Sequence, residues 1–225
     1  MVTVLKVVLL GQAGCGKTCL ITKFTTGVFD SETQTSISAQ FTSKTIEFKD
    51  FHQTIKFDIW DTAGQEKYKS LAKIFYKDAK VICLCYDIAN KSSFTELKEY
   101  WYENQTKLNV DGEPIYAIVA NKYDLYDIQQ VKDEEGKEFA KQINAIFHQT
   151  SAKSDIGINT LFEKIGKKYF EPNYDSNEIE DKEKKEYEKK KLEKSQQKKV
   201  VNNNQSRGVK LGVNKNKENK KKSCC

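Results

Sequence analysis

Eight residues from Gly11 to Thr18 read G-x-x-x-x-G-K-T, four from Asp61 to Gly64 read D-T-A-G, and four from Asn121 to Asp124 read N-K-x-D. In this order they describe a site for a guanine nucleotide with magnesium. The first is a phosphate motif: its glycines let backbone N–H groups turn inward toward phosphate oxygens, and a helix opening at Lys17 would add its positive N-terminus. Gly11, Ala13, Gly14, Cys15, Gly16, Lys17, Thr18 and Cys19 are therefore the expected phosphate-facing residues, with the Lys17 ammonium on the β and γ phosphates. Thr18 offers a hydroxyl to Mg²⁺, a hard ion that keeps several waters and takes few protein oxygens. Asp61 ends an apolar run, so its carboxylate would emerge at a strand's carboxyl end and hold the metal through water. Gly64 would turn its N–H to the γ-phosphate and Gln65 would orient the attacking water. Asp124 carries a carboxylate for the N1–H and 2-amino group of guanine. Adenine has no match for it, and a buried carboxylate left unmatched costs at least ~1–3 kcal/mol. Asn121 would fix the other edge of the base, the Lys122 stem would lie along its plane, and the Ala152 amide, between Ser151 and Lys153, would meet O6.

These side chains need strands that end together. Val4 to Leu10 is nearly all apolar and stops at glycine, and after Lys17 the residues Leu20, Ile21 and Phe24 follow at helical spacing. Similar runs at Ile55 to Trp60, Val81 to Tyr86 and Ile115 to Ala120 alternate with helical patterns, among them Phe94, Leu97, Trp101 and Leu108 on one face. The alternation predicts an α/β fold, a mostly parallel sheet with helices on both faces. Ser38 to Phe48 and Gln53 to Trp60 flank a four-residue connection and read as a hairpin that adds one antiparallel edge strand. A last helix is expected from Ile158 to Phe170, before Pro172.

Of 225 residues, 38% are hydrophobic and the net charge is +6. The charge is uneven: residues 175–225 hold 16 Lys+Arg against 9 Asp+Glu, and residues 1–174 hold 22 against 23. Few large aliphatics follow Tyr187, too few to offset the entropy of ordering the tail. One domain over residues 1–172 and a disordered lysine-rich tail over 173–225 are expected, the tail acting as a spacer. Its last 28 residues lack aromatics interleaved among the lysines, so nucleic acid is not an expected partner. The opening residues lack the basic and apolar regions of a signal peptide, and no apolar run reaches ~18 residues, so the protein is expected in the cytosol. Cys15, Cys19, Cys83 and Cys85 match neither a zinc site nor a disulfide framework and read as reduced packing residues.

The motifs and their spacing resemble the Ras superfamily of small GTPases across about residues 4 to 170. Four further runs are similar to its Rab branch: Trp60 to Glu66, Lys67 to Leu71, Phe75-Tyr76-Lys77 and Tyr86-Asp87-Ile88. The resemblance implies the P-loop NTPase three-layer sandwich with a six-stranded sheet, and a switch that hydrolyses GTP slowly, binding effectors while GTP orders two loops and releasing them afterwards. It places the guanine-stacking aromatic at Phe29, a second magnesium hydroxyl at Ser36, and an effector-facing aromatic triad at Phe41, Trp60 and Phe75. It also implies a monomer whose partners are an exchange factor, an activating protein, a prenyltransferase with its escort protein, a GDP-dissociation inhibitor and effectors. The terminal Cys224-Cys225 resembles the signal for two geranylgeranyl groups, which with adjacent lysines anchor a chain to membrane lipids at the cytoplasmic face of endomembranes. Ser38 to Phe41 and Ser70 to Ala72 are similar to the endosomal members.

Three departures matter. Ser36 replaces the family's threonine and loses the methyl that stiffens χ1, so the GTP-bound switch is expected to open more often. Ala13 stands where many relatives have glycine, and binding is expected to survive it. The sole arginine is Arg207 in the tail, so none in the domain can stabilise the transition state in cis, a contribution worth ~10³–10⁵ in rate. Turnover is therefore expected to rely on a partner's arginine. Ser36 and Ser38 also admit a binding-only pseudo-GTPase scaffold, against which Gln65, Asp61 and Lys17 argue.

Overall fold

A computed structural model describes residues 2–30, 40–62, 75–106, 112–174 and Lys189. All but Lys189 lie in the compact unit Met1–Glu183. The sequence readings at Ser36, Ser38, Gly64, Gln65, Leu108, Cys224 and Cys225 fall outside the described residues.

Six strands form one sheet: β1 (Val2–Leu10), β2 (Gln40–Phe48), β3 (Gln53–Asp61), β4 (Val81–Asp87), β5 (Ile115–Asn121) and β6 (Ile146–Gln149), in the spatial order β2-β3-β1-β4-β5-β6. Only the β2/β3 pair is antiparallel, in register from Gln40 with Asp61 to Phe48 with Gln53, and the 3₁₀ turn Lys49–Phe51 closes the hairpin. From β1 the chain runs to the edge strand β2, turns back into β3 beside β1, and then crosses to β4 on the other side of β1. The ends of β1 and β3 therefore face each other at the switch point where open α/β sheets bind ligands.

Among the described residues, four α-helices cover the sheet: α1 (Lys17–Thr26), α2 (Lys91–Glu96), α3 (Asp133–Gln142) and α4 (Ile158–Phe170). On one face Leu20, Ile21 and Phe24 of α1 and Leu161, Phe162 and Ile165 of α4 join Leu5, Val7, Leu9, Phe57 and Cys83 in the core, with Phe24 and Phe162 stacked at 3.6 Å between centroids. On the other, Phe94 of α2 packs against Tyr86 of β4 and Phe139 of α3. Every residue of β4 is buried, as expected of a strand covered on both faces.

The helix read through Phe94, Leu97 and Trp101 is corrected in one respect. All three are buried, but from Leu97 to Thr106 the backbone takes the wider π-helical pitch. The Trp101 indole donates to Glu96 Oε1 at 3.1 Å, an i, i+5 contact that suits this pitch. The four cysteines of the domain are free thiols, as read: Cys15, Cys83 and Cys85 are buried, and Cys19 packs part-buried against the core.

Candidate nucleotide site

Leu10 of β1 runs directly into the phosphate loop, and the loop's glycines meet three different demands. Gly11 has φ +150°, and a Cβ there would lie 2.2 Å from the Cys85 carbonyl oxygen, so the loop can rest on β4 only without a side chain. Gly16 has φ +92° and would clash at 2.5 Å with Asn121 Nδ2. Gly14 has φ +78°, and a Cβ built on it meets no heavy atom within 4 Å, so its backbone borders open space at the mouth of the loop. Gly16 caps α1 without any side-chain bond, leaving the first-turn N–H groups for an anion.

The Lys17 ammonium folds back over this loop. It is buried, and Nζ donates to the Gly11 carbonyl at 2.8 Å and the Gln12 carbonyl at 3.1 Å. One residue on, Thr18 Oγ1 donates to Asp61 Oδ2 at 2.5 Å, bringing the start of α1 and the end of β3 together. Thr62 secures the second strand end, its hydroxyl donating to the Leu9 carbonyl at 2.6 Å. A hydroxyl and a carboxylate converging beside a phosphate cradle are hard oxygen donors, and this donor set fits Mg²⁺.

The third motif wraps the same loop from behind. Asn121, at the end of β5, donates through Nδ2 to the Cys15 carbonyl at 2.8 Å and accepts at Oδ1 from the Thr150 hydroxyl at 3.0 Å. Lys122 adopts φ +61°, its ammonium pairs with Asp87 Oδ2 at 2.8 Å, and its Cε lies 3.7 Å from where a Cβ on Gly16 would stand. Asp124 Oδ1 accepts from Ser151 Oγ at 2.6 Å, and Ser151 Oγ accepts in turn from the Ser154 amide at 3.1 Å. Residues 150–157 form a tight turn, with Ser151 and Ile156 exchanging both backbone bonds at 3.0 Å. Gly157 closes it at φ +67°, where a Cβ would meet the Gln149 carbonyl oxygen at 2.2 Å. Ala152 is held within the core cluster, and Lys153 beside it is exposed.

Of the predicted residues, the structure joins Gly11 to Lys17, Cys15 and Gly16 to Asn121, Thr18 to Asp61, and Asp124 to Ser151, while Ala13, Gly14, Cys19, Lys122, Ala152 and Lys153 adjoin them along the chain. Phe29 lies after α1 and packs part-buried against the core. Phe41, Trp60 and Phe75 form a separate contiguous aromatic row, with centroids 5.2 Å and 5.6 Å apart and Phe41 53% exposed.

Sequence reasoning gave no site role to Asp87, the partner of Lys122, or to Thr150, the partner of Asn121. It also passed over Gln12, whose amide donates to Glu96 Oε2 at 2.9 Å and accepts from Asn90 Nδ2 at 3.2 Å. Asp87 carried a visible signal as the residue capping a fully apolar strand; the other two are polar residues whose partners are distant in sequence. Burial pushes the Cys15 thiol up, although Lys17 and Lys122 pull the other way, so it stays neutral beside the loop.

Fold and site together define a P-loop guanine-nucleotide-binding protein. The Ras family model matches residues 6–171. The chain is 41% identical over 163 residues to the Ras-related protein Rab5A of Oryza sativa subsp. japonica, covering 72% of this chain and 78% of that protein. It is 38% identical over 175 residues to human Rab-22A, covering 77% and 86%, and 40% identical over 163 residues to RabJ of Dictyostelium discoideum, covering 72% and 62%. The chain belongs to the Ras family, as a Rab-type small GTPase that hydrolyses GTP and acts in vesicle trafficking.

Proposed function

We propose that the chain is a membrane-anchored switch that recruits effectors while loaded with GTP and Mg²⁺. The observation that carries this reading is the Thr18–Asp61 contact at 2.5 Å, because it ties the phosphate loop to the segment that leaves β3. Thr18 and Ser36 would hold the metal directly and Asp61 through water. When bound, Mg²⁺ neutralises charge on the β and γ phosphates. Lys17 would hold the same phosphates, exchanging its loop carbonyls for phosphate oxygens. Gln65 would orient the attacking water, and the loss of the γ-phosphate would release the Gly64 segment.

Asp124 would read guanine through N1–H and the 2-amino group. Ser151, already bonded to Asp124, would hold that carboxylate in place. The Phe41, Trp60 and Phe75 row would meet effectors, an activating protein would supply the missing arginine, and an exchange factor would drive GDP out. Prenylated Cys224 and Cys225 at the end of the 173–225 tail would anchor the 1–172 domain. A GDP-dissociation inhibitor would maintain a cytosolic pool. The compartment we assign is endosomal, on the similarity of Ser38 to Phe41 and Ser70 to Ala72 to that branch. Among the described residues no helix is long and apolar enough to cross a membrane, and the proposal needs none.

Single-turnover hydrolysis of GTP by the purified chain, with and without a Rab-activating protein, tests the reading. Slow intrinsic hydrolysis, accelerated by the partner and lost in Gln65→Leu, is expected. Tight GTP binding with no hydrolysis under either condition would overturn it.

A further inference from the structure

The end of the sheet opposite the nucleotide site carries a cavity of about 550 Å³ beside the edge strand β6. Parallel strands direct their carboxyl ends to the phosphate loop, so the start of β6 and the C-terminal ends of α3 and α4 gather at the other pole. Lys137 and Lys141 reach the cavity from successive turns of α3, Lys168 from the last turn of α4, Asn144 from the left-handed residue after α3, and Asn173 and Tyr174 from the segment beyond α4. No aspartate or glutamate lines it.

Several lysines elsewhere pair with carboxylates: Lys23 with Asp155, Lys56 with Asp58, Lys91 with Glu135, Lys122 with Asp87 and Lys167 with Asp50. Among the described residues, Lys137, Lys141 and Lys168 have no such partner, and Lys168 donates only to the Tyr174 carbonyl, at 3.4 Å. Helix ends favour a cation in the last turn, which accounts for Lys141 and Lys168. It does not account for Lys137, a full turn earlier. Three like charges around one concavity repel one another unless an anion sits among them.

We infer that this cavity binds a multiply phosphorylated inositol group. A single phosphate would leave most of the space unfilled, since pockets of ~300–1,000 Å³ take ligands of drug size. Three ammonium groups on two helices suit several phosphates, and the Asn144 and Asn173 amides supply donors for ring hydroxyls. Tyr174 stands on the cavity wall, and the sequence beyond it is the lysine-rich stretch that ends in Cys224-Cys225. The same headgroup could thus arrive on a membrane lipid or free in solution. The inference does not depend on the switch proposed above.

Full-length GDP-loaded chain is titrated by calorimetry with inositol trisphosphate and with inorganic phosphate. It is also sedimented with phosphatidylcholine vesicles carrying phosphatidylinositol bisphosphate, or phosphatidylserine at matched charge. Binding of the trisphosphate well above that of phosphate is expected. The combined Lys137→Gln, Lys141→Gln, Lys168→Gln change should weaken it at least about tenfold. Replacing Lys220, Lys221 and Lys222 by Gln should leave it unchanged. A preference for bisphosphate vesicles, lost in the triple variant, identifies the lipid as source; trisphosphate binding without that preference identifies a soluble ligand, and both uphold the site. Absence of trisphosphate binding overturns the inference, as does a triple variant that binds the trisphosphate equally well. Lys137→Gln, at an exposed helix position, replaces the triple variant if that fails to fold. GDP affinity should not change in any of these chains, so a fault in the nucleotide site would be recognised separately.

Discussion

The Asn121 side-chain amide donates to the Cys15 carbonyl at 2.8 Å, joining residues 106 positions apart. With Thr150 on its oxygen, Asn121 locks the phosphate loop, the end of β5 and the 150–157 turn into one unit. One residue therefore rigidifies both halves of the nucleotide site.

Asn121→Ala should release both halves. It strands the buried Cys15 carbonyl and the Thr150 hydroxyl, at about 1–3 kcal/mol each. Dissociation of a fluorescent GDP analogue should accelerate roughly 100-fold, at two or three kcal/mol in total. An unchanged rate would show that the loop holds itself.

Thr18→Ala removes the hydroxyl that meets Asp61. In the unmodified chain, chelating Mg²⁺ should speed GDP release at least about tenfold, the expected loss of one charged contact. The variant should release GDP fast at the outset, with chelation adding little. A variant that keeps the full chelator response would remove Thr18 from the metal site.

Gly136→Ala tests packing against propensity. Inside a helix, Gly to Ala ordinarily gains ~0.5–1 kcal/mol. Here the new Cβ would lie 2.5 Å from Phe147 Cε2 and 2.6 Å from Tyr86 Oη, so overpacking of ~1–3 kcal/mol should outweigh the gain. Thermal unfolding at saturating GDP should show a lower Tm. A rise would mean that the Phe147 ring gives way freely.

Alkaline pH should destabilise the domain through its buried thiols. Burial pushes Cys83 from 9.0 up to about 12, and Cys85 shifts in the same direction. With the folded value raised, the stabilisation is complete below pH 9 and is lost as pH rises toward 12, at up to ~1.4 kcal/mol per pH unit for one group. Denaturant unfolding at pH 8, 9 and 10 should show Cys83→Ala closing its stability gap to the unmodified chain above pH 9. Parallel curves would refute this.

Much of the architecture was legible along the chain because burial leaves a local period. Fully covered β4 reads as an unbroken apolar run, and α4 begins and ends at Ile158 and Phe170 as its spacing predicts. β6 escaped notice because it has four residues, two of them polar: His148 is satisfied by the Gly157 carbonyl at 2.8 Å and Gln149 by the Asp133 carboxylate. The π-helical turn was hidden as well. Spacings of three and four from Phe94 to Trp101 suit an ordinary helix, and the added pitch shows only in the Glu96–Trp101 contact.

The residue types alone determined the ligand class, because phosphate, metal and guanine each require particular functional groups at short, fixed spacings. Only the tertiary structure decided how those groups support one another: Asn121 against Cys15, Lys122 against Asp87, Gln12 against Glu96, and Lys137, Lys141 and Lys168 around a cavity at the far pole. The reason is physical: a motif is read within a few residues, whereas partners brought together by strand order and helix packing leave no local pattern in the chain.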